Sequence, residues 1–231
     1  MISIIIPTYN EGDQIEETIR QIHDANGNEI IEIIVVDGGS QDQTMSIARK
    51  CGALTILSKK KGRAAQMNRG ASAANGKVLY FLHADSIPPG NFTNLIMTAL
   101  AKGYYSGCFR LRFDQSHWFL NANCWFTRFD INAVRFGDQS LFVTNEAFHK
   151  SGGFNESLLM MEDQEIIHRI KKFGRFTVMN AAVTTSARKY RDNGIYRMQV
   201  IFYRIWFMYY LGFSQEYLLQ MHRKLIANHK L

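Results

Sequence analysis

The first third of the chain alternates short apolar runs with amphipathic stretches, and this alternation limits the fold more than any other feature. Ile2–Pro7 is a β-branched run of strand length, and Asp13-Gln14-Ile15-Glu16 then offers a helix start, running to about Ala25. A second run, Ile30–Asp37, holds Ile33-Ile34-Val35-Val36, apolar on both faces as a central parallel strand is. Ser40-Gln41-Asp42-Gln43 reads as a capping box opening a helix to about Cys51. A strand at Leu54–Ser58, a helix from Arg63 to Ala74 and a strand at Val78–His83, stopped by Pro88-Pro89-Gly90, complete the series. A βαβαβαβ order predicts an α/β fold, with a parallel sheet and helices on both faces.

Beyond Asn91 the pattern loosens. A helix is predicted over Phe92–Ala101, a strand over Tyr105–Phe113, an irregular aromatic stretch to Phe136, and a strand over Ser140–Thr144. A helix over Asp163–Lys172 and a strand over Arg175–Asn180 follow. The 231 residues suit one sizeable domain, 1–190, with halves at 1–90 and 91–190, followed by a basic aromatic tail at 191–231. Cys51, Cys108 and Cys124 form no CxxC pair and no disulfide framework, and Met1-Ile2-Ser3 opens no signal peptide. These features predict a cytoplasmic protein.

The net charge of +7 is uneven: residues 169–231 hold twelve Lys or Arg against Asp192 and Glu216. Within the tail, Tyr196–Phe213 is aromatic and apolar but carries Arg197 and Arg204. An arginine at the centre of a membrane span costs about 2.5–3.5 kcal/mol, which argues against a transmembrane helix. Two readings stay open: a helix packed on the domain, or one lying on an anionic membrane at its cytoplasmic face. No nucleic-acid recognition motif accompanies the basic residues, so a nucleic-acid partner is not expected.

Open parallel sheets bind ligands at the carboxyl ends of their strands. Those ends carry Pro7-Thr8-Tyr9-Asn10-Glu11, Asp37-Gly38-Gly39-Ser40 and His83-Ala84-Asp85-Ser86. Asp37 and Asp85 each read alone as turn residues; their placement at one sheet edge points to a hard divalent cation that also binds phosphate. Neither GxGxxG nor GxxxxGK[ST] is present.

Ile4-Ile5-Ile6-Pro7-Thr8-Tyr9-Asn10-Glu11 and Ile34-Val35-Val36-Asp37-Gly38-Gly39-Ser40 resemble the opening of the family 2 glycosyltransferases. Phe81-Leu82-His83-Ala84-Asp85 resembles the family's DxD element, with His83 in place of the first aspartate. Gly137-Asp138-Gln139 with Gly152-Gly153-Phe154, and Met161-Glu162-Asp163, resemble its acceptor-side and ED elements. Within the family, the chain resembles the small bacterial radical-SAM/selenodomain-associated transferase 2 subgroup. The resemblance implies a GT-A (Rossmann-like) fold, with a mainly parallel central sheet and a C-terminal helical tail. It implies Mn²⁺ or Mg²⁺ at Asp85, a UDP- or GDP-sugar donor and an acceptor of unspecified identity. Asp163 is the implied catalytic base. Pro7, Thr8, Tyr9, Glu11, Asp37, Asp138, Gln139 and Glu162 are the implied substrate contacts, with Asp37 at the nucleotide base. Arg63 and Arg188 are candidates for phosphate, and a solvated charge is the competing reading of Arg63. Helix-terminal charge is the competing reading of Glu162-Asp163. The QxxRW element of processive members is absent, and Ser186-Ala187-Arg188-Lys189-Tyr190 stands nearby. Two rival classes are a nucleotidyltransferase on a related fold and a non-catalytic, membrane-associated nucleotide-sugar-binding protein.

Overall fold

The computed structural model describes residues 1–132, 135 and 137–226. Phe136, at the end of the predicted aromatic stretch, and the last five residues of the tail lie outside them.

The strands are β1 (Ile2–Thr8), β2 (Ile31–Asp37), β3 (Leu54–Leu57), β4 (Val78–Phe81), β5 (Ser86–Ile87), β6 (Tyr104–Phe113), β7 (Leu141–Thr144) and β8 (Arg175–Thr185). They form one eight-stranded sheet in the order β3-β2-β1-β4-β7-β6-β8-β5. The first four are mutually parallel; β7 runs antiparallel to β4 and β6, and β5 antiparallel to β8. The helices are α1 (Gly12–Ala25), α2 (Thr44–Lys50), α3 (Arg63–Ala73), α4 (Phe92–Ala101), α5 (Trp118–Phe126), α6 (Asn145–Lys150), α7 (Glu162–Ile170), α8 (Arg188–Asn193), α9 (Ile195–Tyr210) and α10 (Gln215–Leu225).

Strand alternation divides the apolar side chains between two layers. Ile4, Ile6, Val35, Tyr80 and Phe142 point into a core shared with α1, α4, α9 and α10. Ile5, Ile34, Val36, Leu79 and Val143 point to the other face, covered by α3, α6 and α7. Full burial of each such side chain contributes about 1.5–3 kcal/mol. The tail is part of this packing: Met198, Ile201, Ile205, Met208 and Leu218 join the first core.

At the amino ends of β1 and β2, the Glu32 carboxylate gathers donors. It accepts from Ser3 Oγ, from Asn75 N at 2.6 Å and from Gly76 N at 3.1 Å. These bonds outweigh the cost of burial and hold the carboxyl below its ordinary range.

Several sequence expectations need correction. Ser40 caps no helix: its hydroxyl is committed to Asp37 and to Asn10, and α2 begins at Thr44, whose N donates to Asp42 Oδ1 at 3.0 Å. The stretch after Phe113 contains α5 rather than irregular chain, and β8 runs to Thr185 rather than Asn180. β5 and α6 were not anticipated.

Candidate active site

The site forms at the carboxyl ends of β1, β2 and β4, where two loops are stitched together. Asn10 takes a left-handed φ of 52°, its N donates to Ser40 Oγ at 2.8 Å, and its Oδ1 accepts from Gln41 N at 2.9 Å. Glu11 N donates to Thr44 Oγ1, and Gly12 N to Asp42 Oδ2, both at 2.9 Å. From α3, the buried Gln66 sends Nε2 to Thr8 O at 2.7 Å and Val36 O at 2.8 Å. Gly38 leaves room for this amide: a Cβ at residue 38 would stand 3.1 Å from Gln66 Nε2.

Asp37, expected to meet a nucleotide base, is 1% exposed and works inside its own loop. Its Oδ2 accepts from Gly39 N at 2.9 Å and Ser40 N at 2.7 Å, and Oδ1 accepts from Ser40 Oγ and Thr8 Oγ1. Pro7 and Thr8 are buried in β1, whereas Tyr9 is exposed. Gln139 is also internal, 1% exposed, with Nε2 donating to Phe109 O at 3.1 Å and Thr127 O at 3.2 Å. In this position the amide satisfies carbonyls under the site.

The remaining residues converge. Arg63, the first residue of α3, lies with Nε 2.9 Å from Glu162 Oε1 on α7. Burial opposes the Arg63 charge, but Glu162, Asp163, Asp138 and Asp85 together outweigh it and hold the guanidinium protonated. Four carboxylates from three separate segments thus favour the charge of one arginine, with Glu162 in direct contact. Glu162 is 1% exposed, and among the described residues none donates a hydrogen bond to either of its oxygens. Burial, opposed by Arg63 and reinforced by Asp163, pushes its carboxyl up to about 7.

His83 Nδ1 lies 2.8 Å from Asp138 Oδ1. Burial disfavours the imidazolium, yet the bond and charge of Asp138 raise the His83 pKa on balance. Burial likewise works against the Asp138 carboxylate, but His83, Lys189 and Arg63 hold it well below its usual range. Sequence reasoning missed this pair, noting His83 only in place of the first aspartate of the DxD element. The available signal was a histidine in an acidic position together with an extra acid at Asp138.

Asp163 opens into a small recess with His83, Gly137 and Ser140, floored by Met67 and Phe81. On the other flank, Arg188 Nη2 reaches Glu11 Oε2 at 3.4 Å, joining two expected substrate contacts to each other. Among the described residues, no three His, Cys, Asp or Glu side chains converge as a metal-ligand set. The Asp85 carboxylate, however, accepts no hydrogen bond from any described residue. One free carboxylate fits a hard cation that completes its shell with phosphate oxygens and water, and does not fit zinc.

The sequence profile of Glycosyl transferase family 2 matches residues 3–156. The chain belongs to this family. Among family 2 relatives, it is 33% identical over 94 residues to glycosyltransferase AglE of Haloferax volcanii, covering 38% of this chain and 31% of that protein. It is 32% identical over 107 residues to a dolichol-phosphate mannosyltransferase of Pyrococcus furiosus, covering 44% of this chain and 30% of that one. The chain thus matches under a third of the length of these two relatives. Among solved structures, the mannosyltransferase PcManGT of Pyrobaculum calidifontis, in complex with GDP-Man and Mn²⁺, superposes with a TM-score of 0.72 at 19% identity, covering 97% of this chain and 68% of that one. TarS of S. aureus with UDP gives 0.68 at 16% identity, covering 80% and 60%. The fold is GT-A, with the mainly parallel sheet described above.

Proposed function

We propose that the chain is a metal-dependent, inverting glycosyltransferase that moves a sugar from a UDP- or GDP-sugar to an acceptor hydroxyl. The observation that carries this reading is an acidic cleft: Glu162 lies 2.9 Å from Arg63, Asp138 2.8 Å from His83, and Asp163 lines a recess with His83, while Asp85 adds its charge at Arg63. Such a rim repels a diphosphate unless a cation intervenes, and Asp85, just past the end of β4, is the carboxylate we assign to hold one. Bound there, Mn²⁺ or Mg²⁺ would neutralise charge on the departing nucleoside diphosphate.

Asp163 is the base. It takes the proton of the acceptor hydroxyl as that oxygen attacks the anomeric carbon, and the bond to the diphosphate oxygen breaks on the opposite face. Arg63 keeps its charge beside this carboxylate, and Glu162 holds Arg63 in place. Arg188 and Lys189 supply positive charge for the diphosphate, with Glu11 orienting Arg188. Asp37 serves the donor by fixing the Gly38–Ser40 turn against which the nucleotide lies, with Tyr9 exposed beside it. The GDP-Man and Mn²⁺ of the Pyrobaculum protein and the UDP of TarS support the donor class. The cysteine pattern supports a cytoplasmic setting.

The test is a melting-temperature panel of UDP and GDP, each with and without Mn²⁺, followed by hydrolysis of the matching nucleotide sugars. A ligand bound to the folded state raises the melting temperature. A metal-requiring rise with one nucleotide is expected; no response to any nucleotide with metal would refute the reading.

A further inference from the structure

Helix α9 is amphipathic twice over. One stripe, Met198, Ile201, Ile205 and Met208, is buried in the core. A second stripe at the same helical spacing, Tyr196, Val200, Tyr203 and Phe207, faces outward and is 50–64% exposed. Helix α5 extends it. Phe119 meets Tyr196 with ring centroids 5.1 Å apart, and Tyr203 Oη donates to Asn123 Oδ1 at 2.5 Å. Trp118 and Trp125 of α5 are 68% and 47% exposed. The result is an aromatic ridge across two helices, far more apolar surface than an isolated exposed side chain.

The charge along this ridge has one sign. Neither α5 nor α9 contains an Asp or Glu. Arg197 and Arg204 flank the outer stripe, and the Arg128 guanidinium stacks 4.6 Å from the Trp125 ring centre. A second copy of the chain docking here would set these arginines against one another, a cost that aromatic contact must overcome. An anionic lipid surface carries the complementary charge, and Trp and Tyr, each apolar with one polar end, suit the headgroup boundary. No described helix is long and apolar enough to cross a membrane.

We propose that the α5–α9 ridge lies on an anionic bilayer, its rings among the headgroups and its arginines on lipid phosphates. The binding requires neither donor nor turnover, so its test is separate from that of the transferase reading. The full chain is floated with vesicles of phosphatidylcholine alone and of phosphatidylcholine with phosphatidylglycerol, and tryptophan emission is followed. The expected result is binding to the anionic vesicles only, weakened by salt, with emission moving to shorter wavelength. The double variant Trp118→Ser/Phe207→Ser should bind about tenfold more weakly, with unchanged donor-induced thermal shift. Should that variant fold poorly, Val200→Asp, at a position 64% exposed, should produce the same loss. Failure of the wild-type chain to bind anionic vesicles at low salt would overturn the proposal, as would equal binding by folded variants. A dimer in sedimentation that the double variant abolishes, without vesicle binding, would reassign the ridge to self-association.

Discussion

Gly137 sits directly against Asp163: a Cβ built on the glycine would collide with the aspartate's Oδ2 and come 3.5 Å from His83 Cε1. The collision is with the functional end of the side chain, so a substituent here displaces the carboxylate. Gly137→Ala should therefore lower kcat by about a hundredfold, since small misplacements of a catalytic group cost that much. Donor binding, read as thermal shift, should stay intact. Asp163→Asn should lose about 10²–10⁴-fold in rate, again with donor binding retained. Normal turnover by either variant removes Asp163 from the proposed mechanism.

Asp85→Asn should keep the fold and lose the metal-dependent part of nucleotide binding. At saturating ligand the wild-type chain gains about 2.7 kcal/mol when ligand is a hundred times its Kd. The variant should show no difference between Mn²⁺ and a chelator. A full metal-dependent shift in Asp85→Asn would place the cation elsewhere.

Arg63 is the neighbour that offsets the Glu162 charge. Arg63→Met strands that carboxyl; Glu162 is buried but the Arg63 side chain is 30% exposed, so the loss should be about 1–3 kcal/mol. Urea unfolding should show this loss. Glu162→Gln in the same background should recover part of it, because the amide has no charge to desolvate.

The Glu162 pair also predicts a pH dependence of unusual sign. The folded carboxyl is pushed up to about 7, above its unfolded value. Between the ordinary carboxylate range and about pH 7, the folded state keeps a proton that the unfolded state releases. Stability from this group therefore falls as pH rises through that window and is flat above it. Measured as the difference between the wild-type chain and Glu162→Gln, the unfolding free energy should decline over that range. A difference independent of pH contradicts the assignment.

Glu32 predicts the opposite slope. Its folded pKa is depressed by Ser3, Asn75 and Gly76, whose bonds overcome burial. Its contribution is complete above the unfolded carboxylate pKa and is lost as pH falls through the folded one. Glu32→Gln should cost about 1.5–3 kcal/mol near neutrality and less in acid, as read by denaturant titration.

Legibility in the sequence followed burial. β1, β2 and β4 were visible because both faces of these strands are covered, so Ile33-Ile34-Val35-Val36 has nowhere to go but a sheet interior. α4 was visible for the same reason, with Phe92 and Ile96 fully buried. α5 was not, since Trp118, Trp125 and Phe126 stay exposed and blur its periodicity. β5 has two residues and exists only because β8 pairs with it. At the site, Asp85 and Asp163 belong to motifs legible in the sequence, and both favour the charge of Arg63. The His83–Asp138 pair joins residues 55 apart in the chain, beyond the reach of a local pattern. Asp37 and Gln139 are both buried and hold backbone groups, a commitment that no motif displays.

β5 also bears on motion. Ser86 Oγ donates to Thr185 Oγ1 at 3.0 Å, and Ser186 N donates to the Asp85 carbonyl at 3.1 Å. Asp85 and Arg188, more than a hundred residues apart in the chain, are thereby riveted to a common joint. A shift of the backbone that carries Arg188 must drag the Asp85 turn along or tear that joint, so the two backbone segments move in concert.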